Sequence, residues 1–260
     1  MNWHREKLFN KDDQRINLLL LNLAQYLRKD LNKIYLRQGD KYEKNILTEG
    51  ELIENGFMSY HLNNNDAGHA LRSICTDIKI GQHLTKYYGF NKWKLVQSMM
   101  FDSNPSTSLH TDNIFLDSNP SGNLIGLLIS FNDMSINTGG ICFYDYTREE
   151  IEELYSSIYK ELPEKFQSPE EIYSIRGKFL EALEKFCKKK SIDLLLEKGE
   201  IVSWSSFLPH KSLKGKNERY DTRFSVAAHY IPSEMSFGTS LGKNSANYAD
   251  RFQSNHFIVG

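Results

Sequence analysis

Two histidines and an aspartate have the residue types of a candidate metal site. His110 and Asp112 are separated by one residue, so on an extended strand their side chains would point to the same face. His210 follows an apolar segment much later in the chain and can supply a third ligand. Two imidazoles and one carboxylate typically hold a redox-active iron and leave three coordination positions open. The alternative is a surface turn in which Asp112 accepts a bond from a backbone amide.

A second set of polar residues lies on a predicted strand at residues 223–231. Arg223 and Ser225 alternate there with apolar residues, so their side chains would share one face. A buried guanidinium is costly unless it meets a carboxylate, and a nearby hydroxyl adds a donor to the same anion. The pair therefore predicts a socket for a dicarboxylate. Arg219 competes for this role, and His229, on the same face, is expected to be a hydrogen-bonded histidine and not a fourth ligand.

The elements before these residues are predicted to be mostly helical. Apolar residues recur at steps of three and four over residues 16–34, which predicts one helix. A second helix is expected over residues 67–89, with Asp66 as its N-terminal cap, and residues 57–62 form a predicted strand between the two. Residues 1–91 would thus form a helical layer that includes the first strand.

From residue 92 onward the pattern predicts β-structure. Ser, Asn, Pro and Gly turns separate five apolar or alternating runs, at residues 93–101, 124–131, 141–146, 200–207 and 223–231. Many short strands preceded by helices predict a mainly β fold with flanking α-helices, in which a double-stranded β-helix forms a jelly-roll or cupin-like barrel. The barrel core would span residues 92–232 of a single domain, residues 1–260.

A pair of helices is predicted to interrupt the strands at residues 147–190. Each helix begins with a capping box, the first formed by Thr147 and Glu150. Residues 233–260 are rich in Ser, Asn and Gly, which predicts a C-terminal tail or lid. Because insertions between barrel strands collect at the open ends, we expect both segments to shape the substrate entrance.

The composition restricts the possible partners. The chain has 260 residues, and its 32 basic and 33 acidic residues nearly cancel, so it lacks the field that would attract nucleic acid or an anionic membrane. The apolar runs are too short for a membrane span and the first residues are charged, so we expect a cytoplasmic protein. Three widely spaced cysteines support neither a disulfide framework nor a cysteine zinc site.

Several segments together carry a resemblance to a known family. The segments are VQSMMFDSNP at 96–105, SLHTD at 108–112, NTGGICF at 137–143, GEIVSW at 199–204, PH at 209–210 and RFS at 223–225. In this order they resemble the iron(II)- and 2-oxoglutarate-dependent oxygenases, and within them the phytanoyl-CoA dioxygenase-like family. The helix, Asn-Gly turn and strand at residues 47–62 also look like the opening of that family.

The resemblance implies a set of cofactors and the residues that bind them. Fe(II) would be bound by His110, Asp112 and His210. The cosubstrate 2-oxoglutarate would chelate the iron while its far carboxylate meets Arg223, and O2 would be the other cosubstrate. Gln97 matches a family position whose side chain approaches 2-oxoglutarate.

The resemblance implies a hydroxylase, or an enzyme that otherwise oxidises an unactivated C–H bond. Its substrate would be a small or conjugated metabolite, and the reaction would release succinate and CO2. Halogenating members of the family lack a carboxylate where Asp112 stands, so this residue implies hydroxylation, desaturation or ring formation. Asn113, Phe115 and Trp204 are the predicted substrate contacts. The alternative is a non-catalytic jelly-roll module that binds a sugar or peptide, and a third hypothesis is a metal-dependent isomerase. A dicarboxylate socket facing a metal favours the oxygenase.

Overall fold

Antiparallel strands form the centre of the structure, a computed structural model. The structure describes residues 3–18, 20, 35–38, 41–44, 57–58, 66–101, 107–163, 166, 168–189, 191–216, 223–238 and 257–259. The strands are β1 (Trp3–Lys7), β2 (Tyr35–Gln38), β3 (Lys41–Lys44), β4 (Phe57–Met58), β5 (Trp93–Phe101), β6 (Asp117–Asn119), β7 (Ile125–Ser130), β8 (Gly140–Tyr144), β9 (Ser191–Leu194), β10 (Glu200–Ser205), β11 (His210–Leu213), β12 (Ser225–Pro232), β13 (Ser236–Gly238) and β14 (Phe257–Val259). The helices are α1 (Asp66–Cys75), α2 (Ile78–Tyr88), α3 (Arg148–Lys160) and α4 (Pro169–Phe186).

The strands form two larger sheets. The first has seven strands in the order β1-β10-β7-β12-β5-β14, with β4 also paired to β5, and the second has the order β11-β8-β9. Two smaller pairs, β13 with β6 and β2 with β3, complete the pairing. Among the described strands no ladder joins the two larger sheets into a closed barrel. The architecture is therefore a mixed arrangement of helices and antiparallel sheets.

The apolar core explains how these layers pack. β7 is buried along its whole length because α1 and α2 cover one face of the large sheet while the small sheet covers the other. The core between the sheets includes Leu128 and Val202 from the large sheet and Ile141 and Phe143 from the small one. This is the layer in which the polar residues of the site are embedded.

The first predicted helices are only partly matched. Residues 14–18 and 20 are helical, and the remainder of the predicted helix 16–34 lies outside the described residues. The single helix predicted over 67–89 is wrong, because the helical conformation is interrupted between α1 and α2. Asp77 caps α2 there by accepting a bond from the Lys79 amide at 2.8 Å, and short Asp side chains favour such caps over helix interiors. Gly89, at φ 83°, ends α2 where predicted.

The β prediction is confirmed for the five long runs and incomplete for the short strands. Each predicted run contains a strand of similar bounds, although β12 begins two residues after Arg223. Strands β1, β6, β9 and β11 were not predicted, since short polar segments become strands only through pairing with distant partners. Within the predicted tail or lid at 233–260, two short strands are described: β13 pairs with β6, and β14 joins the edge of β5.

The helical pair is confirmed. Thr147 and Glu150 form the capping box of α3, and Ser168 caps α4. Both helices contribute to a separate apolar cluster that includes Ile114, Tyr155 and Phe179. None of the described helices is long and apolar enough to cross a membrane.

Candidate metal centre

The three predicted metal ligands converge between the two larger sheets. The ligand atoms of His110, Asp112 and His210 all lie within 4.8 Å of one another, and the described part of the chain holds no second group of this kind. The Nε2 atoms of both histidines are 3.7 Å from Asp112 Oδ1. Two nitrogens and one oxygen are a donor set that suits a first-row transition metal and leaves coordination positions for other molecules.

The backbone brings these side chains together by a route that differs from the predicted one. His110 pairs with His210 in an isolated bridge, with N···O distances of 3.0 and 2.9 Å, and His210 begins β11 instead of ending the preceding strand. The expected extended strand through His110 and Asp112 is wrong, because Asp112 begins a 3-10 turn that ends at Ile114. Thr111 itself is extended, which keeps the flanking side chains on the same side.

Backbone carbonyls orient both imidazoles. His110 Nδ1 is 2.7 Å from the carbonyl of Ser108, and His210 Nδ1 is 2.9 Å from the carbonyl of Leu208. A carbonyl oxygen only accepts, so each Nδ1 donates and each Nε2 keeps a lone pair. This is the arrangement expected of metal-binding histidines, whose second nitrogen is fixed by an outer partner.

The protonation states of the cluster also suit a metal. Burial lowers the pKa of His210 to about 4, so its imidazole is neutral near pH 7. Burial opposes the charge on Asp112, but the neighbouring histidines outweigh it and hold the pKa of this carboxyl below its usual range. The anionic Asp112 carboxylate and the neutral His210 imidazole therefore lie together in the cluster.

A cavity opens beside the cluster, and Arg223 lies in its wall. Only 3% of the Arg223 residue surface is exposed, and its guanidinium donates to the carbonyl of Gly140 at 3.0 Å. Burial of a permanent cation beside a candidate metal site is costly and points to a role in binding an anion. The other lining residues are Met99, Phe101, Thr107, His110, Asp112, Leu128, Gly140, Ile141, Trp204, His210, Lys211, Ser212, Ala227 and His229.

Gln97 and Ser225, the other predicted cosubstrate contacts, lie on strands of the same sheet but are not among these lining residues. Gln97 on β5 is paired with His229 on β12, and Ser225 begins β12. The Gln97 Oε1 and Ser225 Oγ atoms are buried, and neither has a hydrogen-bond partner within the described residues. Such orphaned polar atoms in a core require an explanation, and an absent ligand or water is a common one.

Asn113 and Phe115, the other predicted substrate contacts, both touch the helical insertion. Asn113 is fully buried, and its side-chain nitrogen donates to Tyr159 of α3 at 3.2 Å. Phe115 meets the His110 ring edge-on at 5.8 Å but is covered by the Arg176 guanidinium, so neither residue lines the cavity.

The insertion braces the metal-binding turn through further contacts. The hydroxyls of Thr111 and Tyr155 are 3.0 Å apart, so hydrogen bonds from α3 flank Asp112 on both sides. From α4, Arg176 donates to the carbonyl of Ile114 at 3.3 Å. These contacts were not predicted, because a tyrosine at helical spacing has no sequence signal that separates a core residue from a brace.

Trp204 and His229 contact the carboxylate of the cluster. The indole nitrogen of Trp204 donates to Asp112 Oδ2 at 2.8 Å, a contact that differs from the predicted role in substrate binding. His229 Nε2 is 3.7 Å from the same oxygen, and its Nδ1 has no partner within the described residues. The alternation along β12 predicts that His229 faces the site. It does not predict that His229 lies beside Asp112.

Solved structures share this fold. The epimerase SnoN, in complex with Fe3+, alpha ketoglutarate and nogalamycin RO, is 12% identical over 96% of this chain and 84% of that chain, with a TM-score of 0.58. The carbocyclase SnoK from nogalamycin biosynthesis is 9% identical over 96% of this chain and 86% of that chain, with a TM-score of 0.61. CytC3 with Fe(II) and alpha-ketoglutarate is 15% identical over 90% and 74%, with a TM-score of 0.52. At these identities the likeness concerns the fold alone.

Two histidines and a carboxylate at one cavity are the donor set of the non-haem iron(II) oxygenases. The chain belongs to the phytanoyl-CoA dioxygenase (PhyH) family, whose model matches residues 27–223. The match includes all three residues of the cluster and ends at Arg223. A search of curated protein sequences found no match to this chain.

Proposed function

We propose that this chain is an iron(II)- and 2-oxoglutarate-dependent dioxygenase. It hydroxylates, or otherwise oxidises, an unactivated C–H bond of a small or conjugated metabolite and releases succinate and CO2. The observation that carries this proposal is the shared cavity, in which two imidazoles and one carboxylate lie with a buried arginine. A sugar- or peptide-binding module would not need this combination.

The proposed architecture is a double-stranded β-helix in a single domain of residues 1–260. The apolar core between the two larger sheets supports this proposal, since jelly-roll folds pack two antiparallel sheets face to face. In this fold the site lies between the sheets, which protects reactive species from water.

His110, Asp112 and His210 are the proposed iron ligands. Their donor atoms fit the metal, because the two imidazoles present lone pairs and the carboxylate is anionic. Iron bound in this way supplies the activation of O2 and the oxidation of the C–H bond. The protein supplies the orientation of the ligands and of the substrate, and it needs no dedicated general base for this chemistry.

Arg223, Ser225 and Gln97 are the proposed contacts of 2-oxoglutarate. The buried guanidinium is the charge that a distal carboxylate requires, and its bond to Gly140 holds it against the cavity wall. The buried Ser225 Oγ and Gln97 Oε1 atoms lie on neighbouring strands and are further candidates to meet a polar ligand or the water that accompanies it.

A small-molecule metabolite is the proposed substrate class, without nucleic acid or membrane partners. The SnoN complex contains nogalamycin RO, a small molecule, and the fold of that protein is the fold of this chain. Here the cavity wall offers Met99, Phe101 and Ala227 as apolar contacts beside the cluster. Trp204 reaches the same cavity and is kept as a proposed substrate contact through its ring, whereas its N–H is used by Asp112.

The test is an anaerobic titration of the metal-free protein with Fe(II) and 2-oxoglutarate. A bidentate chelate gives a weak visible charge-transfer band, which we expect for the unmodified chain. Arg223→Leu should weaken 2-oxoglutarate binding by several hundred-fold to several thousand-fold, since the buried pair contributes on the order of 3 to 5 kcal/mol. Fe(II) binding should remain.

Arg5→Leu is the matched control in this titration. Arg5 forms a surface salt bridge with Glu200, and such pairs contribute only about 0 to 1 kcal/mol. Arg223→Lys separates the effect of charge from that of geometry. A lysine keeps the positive charge but cannot donate the two parallel hydrogen bonds that a guanidinium donates to a carboxylate. Unchanged 2-oxoglutarate affinity in both Arg223 variants would contradict the proposal. Arg219, the competing arginine in the sequence, lies outside the described residues.

A further inference from the structure

The two oxygens of Asp112 have different surroundings. Oδ1 lies 3.7 Å from Nε2 of His110 and 3.7 Å from Nε2 of His210. Oδ2 instead accepts a hydrogen bond of 2.8 Å from Trp204 Nε1 and lies 3.7 Å from His229 Nε2. One oxygen therefore faces the proposed metal position and the other faces the large sheet.

The indole of Trp204 restricts the orientation of the Asp112 carboxylate by a hydrogen bond to one of its oxygens. An indole nitrogen only donates, so it binds an oxygen of Asp112 and cannot compete for the metal. The bond is buried, and the acceptor is charged, so it belongs to the stronger class of hydrogen bonds. Rotation of the carboxylate to present both oxygens to one ion would break it.

Gly126 makes this indole position possible. It is paired with Trp204 on β10 and with His229 on β12, so the three residues form a row across β10, β7 and β12. A Cβ atom at Gly126 would lie 2.4 Å from Cε2 and 2.5 Å from Nε1 of the indole. Any other residue at this position would therefore displace the ring from β7 and move its donor away from Asp112.

We propose that the row Trp204, Gly126 and His229 is a positioning platform that sets Asp112 as a ligand through one oxygen, Oδ1. Trp204 is the positioning residue, and Gly126 provides the space that it needs. This inference rests on the proposed function, since it concerns the same metal site. A ligand that occupies one position leaves more of the coordination sphere for 2-oxoglutarate and O2.

Trp204→Phe tests the platform, because it keeps an aromatic ring and removes the donor. The measurement is anaerobic Fe(II) affinity, together with the visible spectrum of the Co(II)-substituted protein, whose band intensity depends on coordination number. We expect Fe(II) binding to weaken by about 10-fold to 100-fold, as for other outer contacts of metal ligands. The Co(II) spectrum should also change, since the freed carboxylate can bind through both oxygens.

Trp93→Phe is the matched control. Trp93 is fully buried on β5 and its indole donates to the carbonyl of Phe90 at 3.0 Å, away from the cluster. This change should reduce stability and leave both metal measurements unaltered. If Trp204→Phe also leaves them unaltered while the unmodified chain binds Fe(II), the platform is wrong and the proposed function stands. If the unmodified chain does not bind Fe(II), the proposed function itself fails.

Gly126→Ala supplies an independent test of the same geometry. It should weaken Fe(II) binding as Trp204→Phe does, although the donor is still present. In the double variant the two effects should not add, because the second change acts on a bond that the first has already broken. Full additivity would overturn the role of Gly126, and Trp204→Phe still decides the platform if Gly126→Ala does not fold.

Discussion

Adjacent residues of β10 lead to two polar regions of opposite character. Ser203 contacts His83 Nε2 at 2.8 Å, His83 Nδ1 contacts Glu6 at 2.8 Å, and the hydroxyl of Tyr88 donates to Ser203 at 3.0 Å. Trp204 points to the other face and reaches the candidate metal centre. We call the first region the Ser203 network and the second the metal centre.

The Ser203 network has the distances of a serine, histidine and acid triad, but its serine and histidine are buried. Ser203 is fully buried, and its oxygen is engaged by both His83 and Tyr88. Both nitrogens of His83 and both oxygens of Glu6 also have partners. Glu6 Oε2 contacts His83, and Glu6 Oε1 accepts from Lys86. A buried serine and histidine whose polar atoms are all satisfied stabilise a fold and offer no group to a substrate.

The metal centre is the opposite case. Gln97 Oε1, Ser225 Oγ and His229 Nδ1 are buried without a partner among the described residues, and each such atom costs about 1 to 3 kcal/mol. His229 lines the cavity beside the cluster, and Gln97 and Ser225 lie on β5 and β12, the strands that also carry Met99 and His229 of the cavity wall. The two regions therefore differ in whether their buried polar atoms have partners, a difference that geometry of the triad type alone does not reveal.

The largest expected effect separates the two regions by function. Asp112→Ala removes the anionic ligand, so Fe(II) affinity should fall by at least about 100-fold and the chelate band should disappear. Thermal unfolding should still be cooperative, because the residue lies at a cavity and not in an apolar cluster. Full metal binding in Asp112→Ala would remove this residue from the proposed ligand set.

The next effect belongs to the Ser203 network. Ser203→Ala leaves His83 and Tyr88 without their shared partner, so the free energy of unfolding should fall by about 1 to 3 kcal/mol in a urea titration. Fe(II) affinity should not change, although Trp204 is the adjacent residue. Ser121→Ala is the control for the removal of a hydroxyl, since the half-buried Ser121 hydroxyl donates a hydrogen bond to Asp117, which lies outside both regions. A loss of metal binding in Ser203→Ala would mean that the two faces of β10 are not independent.

The sequence predicted that His110, Asp112 and His210 lie together, but it did not predict the contacts that orient them. His110, Asp112 and His210 could be found because their types and order are local features of the chain. The bond from Trp204 to Asp112 depends on a missing side chain at Gly126 in another strand. The Ser203 network joins residues 6, 83 and 203, and no periodicity relates positions so far apart.

The elements of the fold divide in the same way, into those with a local sequence signal and those that depend on distant partners. Long apolar runs such as β7 were predicted because burial on both faces leaves a continuous signal. β11 was missed although it carries His210, because its sequence HKSL has no apolar alternation. Pairing with β8 and the bridge to His110 define it as a strand.

The insertion gives a smaller effect that links the metal centre to α3. Tyr155→Phe and Tyr159→Phe each remove one hydrogen bond to the metal-binding turn, so each should cost roughly 0.5 to 1.5 kcal/mol of stability. Fe(II) affinity should fall by a few-fold, and the double variant should lose more than either change alone. Tyr173→Phe is the control, since Tyr173 on α4 is exposed. Unchanged affinity in the double variant would limit the insertion to a purely structural role.

The smallest effect concerns the pH dependence of the Ser203 network. Burial lowers the pKa of His83 below its ordinary value of 6.5, and the bond to Glu6 offsets this only in part. The unfolded chain therefore binds the proton more readily than the folded chain, and stability rises with pH in this window. The contribution is complete above about pH 6.5 and is lost as the pH falls toward the lowered pKa, with a slope below about 1.4 kcal/mol per pH unit. His83→Gln should flatten the fall in unfolding free energy between about pH 6.5 and 5 in urea titrations. An equal slope in both proteins would show that His83 does not carry the acid sensitivity of the fold between about pH 6.5 and 5.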